Sequence, residues 1–250
     1  MIADPWFYAA AVAGVLIAGI SKAGFGGATG GLSVGLMALV VAPPQAAAIM
    51  LPILLTMDAI GIAVFRGKFD ARNLRILLPA ALVGIGIGAL TFGWVDARWL
   101  RGIIGVEAIL FALDRFRAAR LPRQPLPPSR LRGGFWGAVS GFTSFISHAG
   151  GPPLMQYLLP QQMDRVLLVG TTVIYFSVVN FTKLLPYAWL GLLDTGNLQT
   201  SALLLPVVPL GYWIGLKLLH GLNPRAFAAT LNWLLLLVGI KLLWDAIAGG

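Results

Sequence analysis

Along most of the chain apolar residues run in blocks of about 20 positions, several with no more than one charge, the length of helix that crosses a hydrocarbon layer of roughly 30 Å. Six blocks are uninterrupted: Ala46 to Phe65, Leu74 to Val95, Leu100 to Phe116, Val166 to Leu190, Leu198 to Leu219 and Ala226 to Ile247. Two further regions are apolar at both ends and broken in the middle. Trp6 to Val41 is broken by Ser21-Lys22-Ala23-Gly24-Phe25-Gly26-Gly27-Ala28-Thr29-Gly30-Gly31, and Phe135 to Leu159 by Ser147-His148-Ala149-Gly150-Gly151-Pro152-Pro153. Clustered glycine and proline end helices. The pattern predicts an all-α, polytopic membrane protein with a Gly-rich break near the start of each half.

The halves repeat each other. An offset of 124 carries Gly26-Gly27 onto Gly150-Gly151 and Asp70-x-x-Asn73-Leu74 onto Asp194-x-x-Asn197-Leu198. After a short insertion an offset of 127 carries Leu78-Pro79-x-x-x-x-Gly84-x-x-x-Gly88 onto Leu205-Pro206-x-x-x-x-Gly211-x-x-x-Gly215. The expected organisation is a first transmembrane repeat over 1–116, a basic, Pro-rich linker over 117–132 and a second repeat over 133–250. Such tandem duplication is how many transporters are built. A single helix over Trp6 to Val41 would be roughly 54 Å long, and Leu154 to Leu159 is too short to cross, so each break is expected to be a re-entrant hairpin. Setting aside Lys22 and Lys183, two hairpins and six crossings put 13 of the other 16 basic residues on the linker side, against 11 for eight crossings. The positive-inside rule thus favours inverted four-segment repeats with a cytoplasmic linker.

Composition agrees with this class: 58% of residues are hydrophobic and 11% charged, whereas a soluble domain carries about 25% charged residues. Soluble enzymes, nucleic-acid binders and disordered tails are excluded. The net charge of +9 sits mostly in short loops, so it reads as a topology signal and not as a nucleic-acid surface. The absence of cysteine removes disulfide and thiolate chemistry. No basic n-region or cleavage site follows Met1, so the first segment is expected to be retained. Most of the eight tryptophans lie near block ends, as Trp6, Trp94, Trp99, Trp189 and Trp244 do, where indole suits the interface.

Backbone that is not helical at membrane depth survives only where protein buries it or a wet cavity meets it, so the two breaks mark the candidate substrate site. A helix starting after such a break aims N–H groups at the cavity and favours an anion. The candidate substrate-binding residues are Ser21, Lys22, Gly26, Gly27 and Thr29 in the first break, and Ser144, Ser147, His148, Gly150 and Gly151 in the second. Neither break holds a carboxylate, which suits an oxyanion better than a metal or an organic cation. His148 is expected to add a charged hydrogen bond to the anion at mildly acidic pH. The bland alternative is that the glycines serve helix packing and the serines bond to local backbone. Asp58 and Lys183 lie 12 and 11 positions before Asp70 and Asp194, about 17 Å from those loops and near the midplane. They read as a buried pair holding the halves together or as a site for a coupling ion, proton or sodium. Glu107 is placed nearer a span end as a packing or interfacial carboxylate, and Asn180, Gln156 and Asn232 are read as facing the cavity or bonding between helices, with the second reading favoured for each. No cofactor or metal is expected; the partners are a small anion and the bilayer, with no nucleic acid.

Two other function classes compete. Ser144 and His148, four apart, share a helix face as in an intramembrane hydrolase, but the Gly and Pro that follow argue against a continuous helix, and His-Glu-x-x-His is absent. An anion-selective channel can be built from the same broken helices.

Ser-Lys-x-Gly-Phe-Gly-Gly (Ser21 to Gly27), Gln45-Ala-Ala-Ala-Ile-Met-Leu-Pro52 followed by Asp58, Asn73-Leu-Arg-Ile-Leu-Leu-Pro79, Phe142-Thr-Ser-Phe-Ile-Ser-His-Ala-Gly-Gly-Pro-Pro153 and Gly170-Thr-Thr172 resemble the sulfite exporter TauE/SafE family, also called the toluene-sulfonate uptake permease family. The resemblance covers nearly the whole chain. It implies a non-enzymatic, multi-pass carrier of the bacterial inner membrane, built from two related halves and moving sulfur oxyanions such as sulfite, thiosulfate or organosulfonates. Members differ in substrate and direction. The first break reads Gly-Phe-Gly-Gly-Ala-Thr in place of a longer glycine run, a departure that bears on pocket size.

Overall fold

The computed structural model describes residues 2, 4–27, 31–94, 96–118, 124–221 and 224–248, and among them every regular element is helical. In order these are α1 (Pro5–Phe25), α2 (Gly31–Ala38), α3 (Pro43–Val64), α4 (Ala71–Phe92), α5 (Ala97–Ala118), α6 (Arg130–Ser147), α7 (Gly151–Leu158) with a following 3₁₀ turn (Leu159–Gln161), α8 (Arg165–Trp189), α9 (Thr195–Leu204), α10 (Val207–Gly221) and α11 (Pro224–Ala248).

Scarce acidic residues set the helix starts. Asp4 accepts from Trp6 N, Asp70 from Arg72 N and Asn73 N, Asp96 from Trp99 N, Asp164 from Val166 N and Leu167 N, and Asp194 from Asn197 N. Each satisfies N–H groups that a helix start leaves without an intrahelical partner. Five of the nine acidic residues are thereby committed to caps, and Asp245 is paired with Lys241 one turn away. Asp58, Glu107 and Asp114 remain inside helices.

Among the described residues four helices, α1, α3, α4 and α8, are each long and apolar enough to cross a membrane. The block expected as one span over Leu198 to Leu219 is instead α9 and α10, bent by 49° at the break between them. Pro206 and Pro209 lack N–H groups within one turn of each other, whereas α4 tolerates the single Pro79 and stays continuous. α1 is also a full-length helix, so the first break falls at its end. α5 reaches Ala118 and α6 starts at Arg130, shortening the non-helical part of the expected linker from both sides.

α4 lies along α6, α1 along α10, and α5 along α11, while α3 and α8 meet at the centre. Glycine permits the close approaches: a Cβ on Gly24 would stand 2.9 Å from the Gly215 carbonyl oxygen, and one on Gly141 2.8 Å from Ala81 Cα. Small residues at helix crossings substitute for a hydrophobic driving force that lipid does not supply. Outward, α4 presents Leu82, Val83, Ile87 and Leu90, and α8 presents Phe181 and Leu185. The buried core gathers around Phe7, Phe145, Tyr175 and Tyr187.

Candidate functional site

The first break begins where α1 ends in left-handed Gly26 (φ 65°) and Gly27 (φ 73°), whose N–H groups both donate to Ser21 O. A Cβ on Gly26 would meet Thr172 Oγ1 at 2.9 Å, so both its φ and its neighbours demand glycine. Lys22, in the last turn of α1, lies 2.6 Å from Asp58 Oδ1 and is buried with it. Asp58 Oδ2 accepts from Asn180 Nδ2 at 2.7 Å, and Lys22 Nζ also reaches Leu54 O at 3.4 Å. The carboxylate is thus held by one cation and one amide, which offsets its desolvation. Of the two readings of Asp58 and Lys183, the buried pair between them is corrected: Asp58 faces α1, and its ion-pair partner is Lys22.

The second break starts at His148, which caps α6 in the left-handed region at φ 53°. Glycine fills the same role at the end of α1, so the imidazole is kept here at a conformational cost of about 1–2 kcal/mol. Its Nε2 lies 2.9 Å from Ala47 O and its Nδ1 2.6 Å from Lys183 Nζ. A carbonyl can only accept, so Nε2 carries the proton and Nδ1 accepts from the lysine. Lys183 donates further to Ser144 O at 2.9 Å and Ser144 Oγ at 3.1 Å. Three acceptors match the three N–H bonds of an ammonium. All three are neutral, and none is a carboxylate. In this arrangement both ring nitrogens are engaged and a second positive charge would face Lys183, so the charged hydrogen bond expected of His148 is not made here. The hydrolase pairing fails with it: Ser144 Oγ and His148 Nδ1 both point to Lys183 rather than to each other.

Both clusters border one cavity of about 20 Å³, roughly the room of one water. Of the expected residues, Lys22, Gly27, Ser144 and His148 line it; Ala18, Leu54, Phe176 and Asn180 complete the wall. Gly26 packs behind it on Met155 and Thr172. Ser147 turns away, donating to Thr143 O and bonding Glu107 Oε2. Gly150 accepts from Ser140 Oγ at 2.6 Å, and Gly151 opens α7, whose next two residues are prolines, so its first turn offers few free N–H groups. Ser21 is buried within α1. Thr29 lies outside the described residues. Asn180, for which the sequence left open a place on the cavity or a bond between helices, has both. Phe176 and Leu54 carried none. Glu107 stands in the middle of α5, not near a span end, and position 107 is also central in the block Leu100 to Phe116 itself. Asn232 donates to Ala112 O between α11 and α5, and Gln156 bonds Asp114.

The profile of the sulfite exporter TauE/SafE family matches residues 11–242 of the chain. A probable sulfite/organosulfonate exporter of Cupriavidus necator is 25% identical over 190 residues, covering 73% of each protein. No solved structure gives a significant match.

Proposed function

The chain belongs to the sulfite exporter TauE/SafE family, a family of membrane transporters, and on that premise we propose that it is a secondary carrier of small sulfur oxyanions, sulfite, thiosulfate or an organosulfonate, in a bacterial inner membrane. The observation that carries the site is Lys183: a buried lysine whose three hydrogen-bond acceptors are all neutral, beside the cavity where both breaks meet. An anionic sulfonate supplies the direct counter-charge that Lys22 has in Asp58 and that none of the hydrogen-bond partners of Lys183 provides. The ligand is held between the breaks by Lys183 and Ser144.

A cavity of about 20 Å³ is too small for a sulfonate group, so binding requires the breaks to part. That requirement, together with the buried Lys22–Asp58 pair beside the cavity, supports alternating access over an open pore. α2 and α7, eight residues each and about 12 Å long, are too short to cross, and each break folds back on the helix before it through Ser33 Oγ to Gly14 O and Ser140 Oγ to Gly150 O. We read them as re-entrant hairpins in two inverted repeats, residues 1–116 and 133–250. Paired features support this reading. Asn73 of the first half bonds Gln161 of the second, while Asn197 of the second bonds Gln45 of the first. Likewise α4 on α6 mirrors α10 on α1.

Uptake of a permanently ionised alkylsulfonate and of sulfite into liposomes holding the purified protein tests the function. Saturable flux with counter-exchange is the expected result; flux linear in concentration without exchange makes it a channel. Single cysteines at Lys68 and Thr195, placed in a chain that has none, test the inverted arrangement. They are expected to be labelled from opposite faces, and labelling from one face rejects it.

A further inference from the structure

Glu107 is the buried acidic group that the anion site leaves unexplained. It stands at the middle of α5, its Oε1 is buried without a hydrogen-bond partner, and its Oε2 lies 3.4 Å from Ser147 Oγ. On one side it borders a small cavity shared with Gly31, Ala149 and Pro152, where the two breaks touch. On the other it borders a much larger cavity of about 750 Å³ between α5, α6 and α7, whose wall includes Asp114, Gln156, Trp99 and Trp136. Val106, Leu110 and Trp99 are exposed along its rim, so this cavity opens sideways from the helix bundle.

The surroundings select the ligand. An anion is repelled by two carboxylates on one cavity wall. A metal ion needs several oxygen or nitrogen ligands, and among the described residues no group of three His, Asp or Glu exists. A proton needs one carboxylate. An ionised carboxylate at membrane depth is costly when unpaired, while its protonated form is tolerated. The titratable groups on the packed elements do not neutralise Glu107. Asp114, two turns along α5, bonds Gln156; Asp58 of α3 is held by Lys22; Lys241 and Asp245 of α11 hold each other. His148, beyond α6, is occupied by Ala47 and Lys183. Arg130 and Arg132 lie at the far end of α6, Tyr157 of α7 bonds Ser129 N, and α2 carries no titratable residue.

We propose that Glu107 is a proton-binding residue, loaded and unloaded through the lateral cavity between α5, α6 and α7, and that its protonation is coupled to anion movement. The coupling rests on the transporter reading above. Ionised, Glu107 accepts from the Ser147 hydroxyl; protonated, it donates to Ser147 Oγ and leaves that hydroxyl to Thr143 O. Ser147 immediately precedes His148, which holds Lys183, so the proton changes the end of α6 that shapes the anion site.

The test begins on the wild-type chain with dicyclohexylcarbodiimide, an apolar reagent that modifies protonated carboxyls in membranes. Mass spectrometry is expected to find Glu107 modified, increasingly as pH falls, and the product to be absent in Glu107→Gln. No modification at Glu107 at any pH between mildly alkaline and mildly acidic overturns the proton site, whether or not any variant folds. Alkylsulfonate accumulation under an imposed pH gradient then tests the coupling. Wild type is expected to respond, folded Glu107→Gln to lose the response, and Glu107→Asp to recover part of it. Sulfonate flux in wild type that ignores the gradient overturns the coupling and leaves the carrier standing. Absence of any sulfonate flux overturns the carrier and the coupling together, while the labelling still decides whether Glu107 takes up a proton.

Discussion

Lys22 and Lys183 are buried in the same centre, on α1 and α8, yet their surroundings are opposites. Lys22 has a carboxylate at 2.6 Å, itself steadied by Asn180. Lys183 has a serine carbonyl, a serine hydroxyl and an imidazole nitrogen. A charge paired directly inside the protein holds helices together; a charge whose hydrogen-bond partners are all neutral still gains from an external anion. On the function proposed above the two lysines divide the work that the sequence assigned to both breaks, with Lys22 tied to α3 through Asp58 and Lys183 held by Ser144 and His148, two residues of the cavity wall. The helix ends beside them differ in the same direction. The first break turns on glycine, and the second on a left-handed histidine that ties Lys183 to Ala47.

The largest expected effect breaks the matched side of the comparison. Asp58→Asn leaves Lys22 as an uncompensated buried charge and is expected to destabilise by about 3–5 kcal/mol, read as thermal stability in detergent. Adding Lys22→Met is expected to restore most of the loss; a double variant as unstable as the single one shows that Asp58 is required for another reason. On the unmatched side, Lys183→Met is expected to weaken alkylsulfonate binding by about 10- to 150-fold, the equivalent of the 1.5–3 kcal/mol of a charge-assisted hydrogen bond. Its stability loss is expected to be smaller than that of Asp58→Asn. Unchanged sulfonate affinity in folded Lys183→Met removes the anion from this cluster.

Replacing His148 by glycine sharpens the contrast between the two helix ends. It relieves the left-handed strain and deletes the bridge to Ala47, effects of about 1–2 and 1–3 kcal/mol in opposite senses. The expected result is a melting temperature close to wild type with sulfonate affinity reduced less than in Lys183→Met. The smallest effect concerns the links between halves. Gln45→Ala removes the bond to Asn197 and is expected to cost about 0.5–1.5 kcal/mol. Gln161→Ala removes two bonds to Asn73, one of which is the counterpart of the Gln45 link. A Gln161→Ala loss no larger than that of Gln45→Ala indicates that the second bond adds nothing in solution.

Membrane residence, the helical class and the position of both breaks were legible in the sequence, because a bilayer leaves few ways to satisfy a backbone and only long apolar helices meet the requirement. Lys22, Asp58, His148 and Lys183 were legible as special for a related reason: ionisable groups at membrane depth are too costly to be incidental. Pairing was not. Equal depth suggested Asp58 with Lys183, but depth along a helix says nothing of the direction a side chain faces, and the rotation of α3 turned Asp58 to Lys22, 36 positions away in the chain. The bend between α9 and α10, the lateral cavity beside Glu107, and the closing of the centre by Phe176 and Leu54 were likewise decided by tertiary packing. Hydropathy reports whether a residue tolerates lipid, and that is a property of the residue. Which neutral or charged partner it meets depends on how helices from distant parts of the chain rotate and cross, a matter settled only once all of them are packed.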